Sequence, residues 1–172
     1  MLKDWIGNSR TAIAGIAPSN HSSKNRESED FYATDPKAVD MLCELERFSP
    51  TVFEPACGQG HIADALKRHG YSVICMDIVD RGYAGCEIGD FLKYRLSHID
   101  VDIVTNPPYK LAQDFVEKSM DVVGDGHKVA MFLKLTFLET AKRREMFVKY
   151  PLKTVYVASQ RIACWPNGRP TS

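Results

Sequence analysis

Residues 51–78 read T-V-F-E-P-A-C-G-Q-G-H-I-A-D-A-L-K-R-H-G-Y-S-V-I-C-M-D-I. Thr51, Val52 and Phe53 are β-formers released by the Ser49-Pro50 break, and the strand they begin ends at Glu54. Glycines at 58 and 60 allow a tight turn, after which Ile62, Ala65, Leu66 and His69 recur at helical spacing until Gly70 stops the helix. Tyr71 to Met76 form a second strand that closes on Asp77-Ile78, with Asp77 17 residues after Gly60. Strand, Gly-x-Gly turn, helix, and a strand ending in an acid make one half of a doubly wound sheet. In such a half the acid accepts from ribose hydroxyls of a nucleoside.

The alternation continues downstream. Cys86 to Phe91 read as a short third strand and its exit, Val101, Ile103 and Val104 as a buried fourth, and Lys128 to Leu133 as a fifth. Ala112, Phe115, Val116, Ser119, Met120 and Val123 lie on one helical face, which Gly124-Asp125-Gly126 terminates. Thr140 to Val148 read as a basic helix and Lys153 to Ala158 as a sixth strand. Upstream, Thr34 or Asp35 caps a helix with Pro36 in its first turn and Val39, Leu42 and Cys43 inward. Residues 1–30, with their P-S-N-H-S-S-K-N-R-E-S-E-D run, read as a mobile arm, and 31–172 as one domain. The fold class expected is α/β, doubly wound, with a mostly parallel sheet whose strand ends at Glu54, Asp77, Asp90 and Asn106 share one edge.

The fourth strand runs into N-P-P-Y, Asn106 to Tyr109. Two prolines give no N–H to a ladder, so the strand stops and Asn106 is held on a stiffened, extended turn. If the Asn106 side-chain oxygen and the Pro107 carbonyl each accept one N–H of an amino group, its delocalised lone pair is freed for attack, with Tyr109 stacked on the ring that carries it. The same residues also read as a strand end followed by a Pro-Pro turn. Asp90 has two readings as well: an acceptor for an adenine amino group with Phe91 against the ring, or a turn aspartate before a core phenylalanine.

Composition sets limits. A chain that is 44% hydrophobic and 26% charged is ordinary globular protein. It holds no apolar run near the roughly 18 residues of a membrane span, and M-L-K-D-W-I-G-N-S-R has no secretory core, so a cytoplasmic location is expected. Cys43, Cys57, Cys75, Cys86 and Cys164 are scattered without C-x-x-C spacing, and no histidine completes a zinc pattern; they read as reduced, mostly buried thiols, with no metal expected. Net charge is zero, yet residues 134–172 carry 8 Lys+Arg against 2 Asp+Glu. That basic quarter suits phosphates, through Lys142, Arg143, Arg144 and Arg161, or is simply a solvated face.

Taken together, E-P-A-C-G-Q-G (Glu54 to Gly60), Asp77, G-D-F (Gly89 to Phe91) and N-P-P-Y resemble the class I S-adenosylmethionine-dependent methyltransferases, and among them the amino-methylating DNA adenine enzymes. F-Y-A-T-D-P (Phe31 to Pro36) is similar to the family's N-terminal cofactor motif, except that Asp35 separates Thr34 from Pro36. The resemblance implies S-adenosyl-L-methionine as cofactor, held by Tyr32, Thr34, Glu54, Pro55, Ala56, Gly58, Gly60, Asp77, Ile78, Asp90, Phe91 and Asn106. It implies catalysis by Asn106, Pro107 and Tyr109 on a flipped adenine of DNA. Tyr109, Trp165, Arg143 and Arg144 are the substrate-side candidates. Adenine in RNA, a glutamine side chain in protein, and an inactive cofactor-binding module are the alternatives. Two departures stand out: 15 residues between Asp90 and Asn106 leave no room for a target-recognition domain, and the family's seventh, antiparallel strand has no counterpart after Ala158.

Overall fold

The computed structural model describes residues 32–95, 98–159, 162 and 164–166; the arm expected over 1–30 lies outside them. Five strands form one parallel sheet in the order β4-β3-β2-β5-β6: β2 Thr51–Glu54, β3 Ser72–Asp77, β4 Cys86–Ile88, β5 Asp102–Thr105 and β6 Val129–Met131. Three helices flank them, α1 (Pro36–Leu45) ahead of β2, α2 (His61–Arg68) between β2 and β3, and α3 (Ala112–Val122) between β5 and β6. A fourth helix, α4 (Ala141–Lys149), follows β6.

Period-two alternation in the central strands divides the core. Val52 and Val104 face α1 and α2, packing with Val39, Cys43, Ile62, Ala65 and Leu66. Their neighbours Phe53 and Ile103 face the other way, onto Met76, Phe91, Phe115 and Val122. Each helix is delimited by local chemistry. Asp35 accepts the Lys37 N–H at 3.0 Å and Pro36 occupies the first turn of α1. Helix α2 closes in a Schellman motif, Gly70 N–H to Lys67 and Tyr71 N–H to Leu66, with Gly70 at φ 88°.

Two elements differ from the sequence expectation. Residues 153–158 belong to no strand; Val155 and Val157 are exposed, and the Tyr156 hydroxyl donates to Glu46. The alternation of Val155 and Val157 favours an extended backbone but cannot by itself select a sheet edge. A strand absent from the sequence reading, β7 (Cys164–Pro166), pairs antiparallel with β1 (Tyr32–Thr34) as a separate ribbon, Thr34 opposite Cys164.

The edge of the sheet at which β2, β5 and β6 begin is bound by one buried carboxylate. Asp102 accepts the Ser49 N–H and the Lys128 N–H, each at 2.7 Å. His127 lies between Asp100 (Nε2 to Oδ1, 2.7 Å) and Asp102 (Nδ1 to Oδ1, 3.0 Å). Asp100 first, then Asp102, raise the His127 pKa above its ordinary value. A raised folded-state pKa means that the stabilisation is complete below the unfolded value, about 6.5, and is lost as pH rises through the folded one. Thermal melts of wild type and His127→Asn across pH 5.5 to 9 should therefore differ most at the acid end and converge at the alkaline end. A constant difference would remove His127 from the ionic network.

Candidate active site

Strands β2 and β5 are neighbours, but the chain leaves β2 toward α2 on one face and β5 toward α3 on the other. At such a switch point the two exits diverge and leave a crevice beyond the carboxyl ends of the strands. A cleft open to solvent lies there. Thr34, Glu54, Pro55, Ala56, Asp77, Ile78, Asp90, Phe91 and Asn106, all sequence candidates, line it.

Gly58, Gly60 and Asp77 build the turn that forms one wall. The Gly58 N–H donates to Asp77 Oδ2 at 2.7 Å and the Val79 N–H to Oδ1 at 3.0 Å, so the acid at the end of β3 braces the glycine turn at the end of β2. Gly58 and Gly60 are not among the lining residues; they shape the turn, at φ 58° and 84°. Gly60 also makes room for a ring: a Cβ there would lie 2.0 Å from Tyr83 Cε2. Tyr83 is held in place by donating to Asp64 (2.6 Å) and accepting from Lys67 (3.0 Å).

Glu54 is 1% exposed, and its Oε2 has no hydrogen-bond partner. Burial, then the neighbouring Cys75, holds its carboxyl well above the usual carboxylate range; an N–H bond from Ala63 offsets part of this. Cys57 and Cys75 are buried beside it and Cys86 packs against them, so three cysteines that are remote in sequence meet in one place. Asp90 accepts the Leu92 N–H at 3.1 Å and pairs with Lys93 at 2.9 Å, and Lys93 holds its pKa below the ordinary value. Phe91 borders the cleft and also packs in the core, edge-on to Phe53 and tilted against Phe115.

Asn106 follows β5 directly. Its Nδ2 donates to the Thr34 hydroxyl at 2.8 Å, a bond across 72 residues that fixes the amide's orientation and gives Thr34, itself buried, a contact with the N-P-P-Y turn. Pro107 is buried, Pro108 lines the cleft, and Tyr109 opens a 3-10 turn, Tyr109–Leu111, with Lys134 5.0 Å above its ring. The basic helix is less uniform than its composition. Arg143 donates to the carbonyls of Thr136 and Phe137 and stacks 4.2 Å from the Phe137 ring, whereas Arg144 is exposed. Tyr32 and Trp165 are placed by backbone alone, in the β1–β7 ribbon, and Arg161 lies outside the described residues.

Several lining residues carry no signal in the sequence. His61, Ile62, Arg81 and Leu111 line the cleft through the first turn of α2, the loop after β3 and the turn after N-P-P-Y. Only their nearness to the recognisable motifs could have nominated them.

No protein-family model and no curated protein matches the chain. Among solved structures it is similar to a candidate RNA methyltransferase from Pyrococcus horikoshii, at 16% identity over 81% of this chain and 74% of that one, TM-score 0.48. A TehB-like SAM-dependent methyltransferase from Corynebacterium glutamicum matches at 18% identity over 61% and 70%, TM-score 0.45. A dimethyladenosine transferase from Plasmodium falciparum matches at 20% identity over 62% and 44%, TM-score 0.45. These are likenesses of fold.

Gly60→Ala should be costly in two ways, through left-handed backbone strain, of order 1–3 kcal/mol, and through displacement of the Tyr83 ring. A Gly60→Ala, Tyr83→Ala double variant should lose less than the sum of the single losses, since the second change removes the clash created by the first. Strict additivity in denaturant melts would show that the ring and the turn are independent.

Proposed function

We propose that this protein is an enzyme that transfers a methyl group from S-adenosyl-L-methionine to the exocyclic amino group of adenine in DNA. What carries the reading is Asn106: an amide at the end of β5, oriented by Thr34 and set in the wall of the cleft that Glu54, Asp77 and Asp90 also line.

The residues present fit the cofactor. Three carboxyl groups border the cleft, suiting a ligand that bears an ammonium and a sulfonium. Glu54 offers a buried oxygen without a hydrogen-bond partner, and a cationic group beside it would favour its ionised form. Asp77 spends one acceptor site of each oxygen on Gly58 and Val79 and keeps others for ribose hydroxyls. Asp90 and Phe91 are the candidates for the adenine end. When bound, the cofactor supplies an electrophilic methyl group on sulfur.

The protein's part in the chemistry is to make the acceptor nitrogen nucleophilic. The Asn106 side-chain oxygen and the Pro107 carbonyl take its two N–H groups, drawing its lone pair out of conjugation, while Tyr109 stacks on the base. Thr34 matters because it holds the amide before any substrate arrives, so no reorganisation is needed as the nitrogen changes shape. Arg144 is the exposed cation best suited to a phosphate. With its guanidinium already on two carbonyls, Arg143 contributes charge from a fixed position.

S-adenosylmethionine at about 100 times its dissociation constant should raise stability by roughly 2.7 kcal/mol. Asn106→Ala should keep that shift while losing about a hundred- to a thousandfold in methyl transfer, roughly 2.7 to 4 kcal/mol. Thr34→Val, which deletes one hydrogen bond, should lose about 0.5–1.5 kcal/mol of transition-state stabilisation. The measurement is labelled-methyl incorporation at saturating cofactor into DNA, RNA and protein, followed by nucleoside analysis. Label in RNA or protein alone would reassign the acceptor, and wild-type rates in Asn106→Ala would exclude the amide from the chemistry.

A further inference from the structure

The mechanism above uses one oxygen-bearing member of a buried cluster and leaves its sulfur atoms idle. Glu54 and Cys75 are opposite each other in the β2–β3 ladder, and Cys75 is opposite Cys86 in the β3–β4 ladder. Three side chains with ligand chemistry thus lie in a row on one face of adjacent strands. Cys57 joins them from the glycine turn, where its N–H donates to the Met76 carbonyl at 2.9 Å. One ligand atom from each of Glu54, Cys57 and Cys75 lies within 4.8 Å of the other two.

We propose that Glu54, Cys57 and Cys75 form a binding site for a soft divalent cation of the Zn²⁺ or Cd²⁺ class, reached from the cleft. The dimensions suit it. A tetrahedral centre with Zn–S bonds of about 2.3 Å holds its donors about 3.7 Å apart, so small side-chain rotations close the present spread around an ion. Strand positions supply the rigidity that a preorganised site needs. Glu54 and Cys57 both line the cleft, which gives a route in. Thiolates with one carboxylate select zinc-like over magnesium-like cations.

Glu54 Oε2 is buried without a hydrogen-bond partner. A bound cation displaces the protons of Glu54, Cys57 and Cys75 and gives that oxygen a partner. The scattered spacing E-x-x-C with a further cysteine 18 residues beyond Cys57 hides the site, because the sheet register brings the ligands together.

The test is titration of the full-length, reduced, metal-stripped chain with Cd²⁺, following thiolate-to-metal absorption, and with Zn²⁺ in competition with a chromogenic chelator. One equivalent should bind with release of protons. Cys57→Ser, Cys75→Ser and Glu54→Gln should each weaken binding at least about a hundredfold, and Cys43→Ser, in a different part of the core, should leave it unchanged. Absence of stoichiometric binding to the wild type, or unchanged affinity in Cys57→Ser and Cys75→Ser, would overturn the site. Should a serine variant fail to fold, alkylation of the wild-type chain decides. Bound cation should slow labelling of Cys57 and Cys75 but not of Cys43, and equal rates with and without cation would overturn the proposal.

Discussion

The central strand β2 is hydrogen-bonded in parallel on both sides, to β3 and to β5, and the rest of the architecture is a consequence of that pairing. Parallel neighbours cannot be joined by a hairpin, so the chain must cross over the sheet between them. The crossings occur on opposite faces for β3 and for β6, as the two halves of the core show. All five strands therefore end at the same edge, and acids and amides placed at strand ends by sequence become neighbours in space.

Three of those strand-end groups show how position alone leaves chemistry undecided. Asp77 is compensated by two backbone N–H groups, and Asp90 by Lys93 and a backbone N–H. Glu54, at the end of the middle strand, is the most deeply buried of the three and is held toward its neutral form. The difference lies in how many donors each local turn can offer. A glycine turn and a strand exit provide them for Asp77, whereas Glu54 is followed at once by a proline, which has no N–H to give.

The sheet was legible because its signals are local: β-formers bounded by Pro, Gly and acid, and helical spacing between them. Residues such as Val52 and Phe53, apolar in succession, announce a strand covered on both faces. Features that depend on tertiary pairing were not legible. The Cys164–Pro166 strand contains a proline, which argues against a central strand, and it pairs in a two-stranded ribbon where that proline is tolerated. The Thr34 to Asn106 bond spans 72 residues, and the cysteine cluster depends on ladder register, neither of which has a period or a motif. Asp102 is a further case: an acid within V-D-I-V reads as an interruption of a strand until its three partners at the opposite edge of the sheet are seen.

The β1–β7 ribbon bears on the order in which this molecule can be completed. Thr34 orients the amide of the N-P-P-Y turn, yet β1 finds its ladder partner only in residues 164–166. During synthesis every strand of the five-stranded sheet emerges before residues 164–166 do. The strand that carries Thr34 must wait for them. Assembly of the core and assembly of the site are thus separate events in time, with the site finished last.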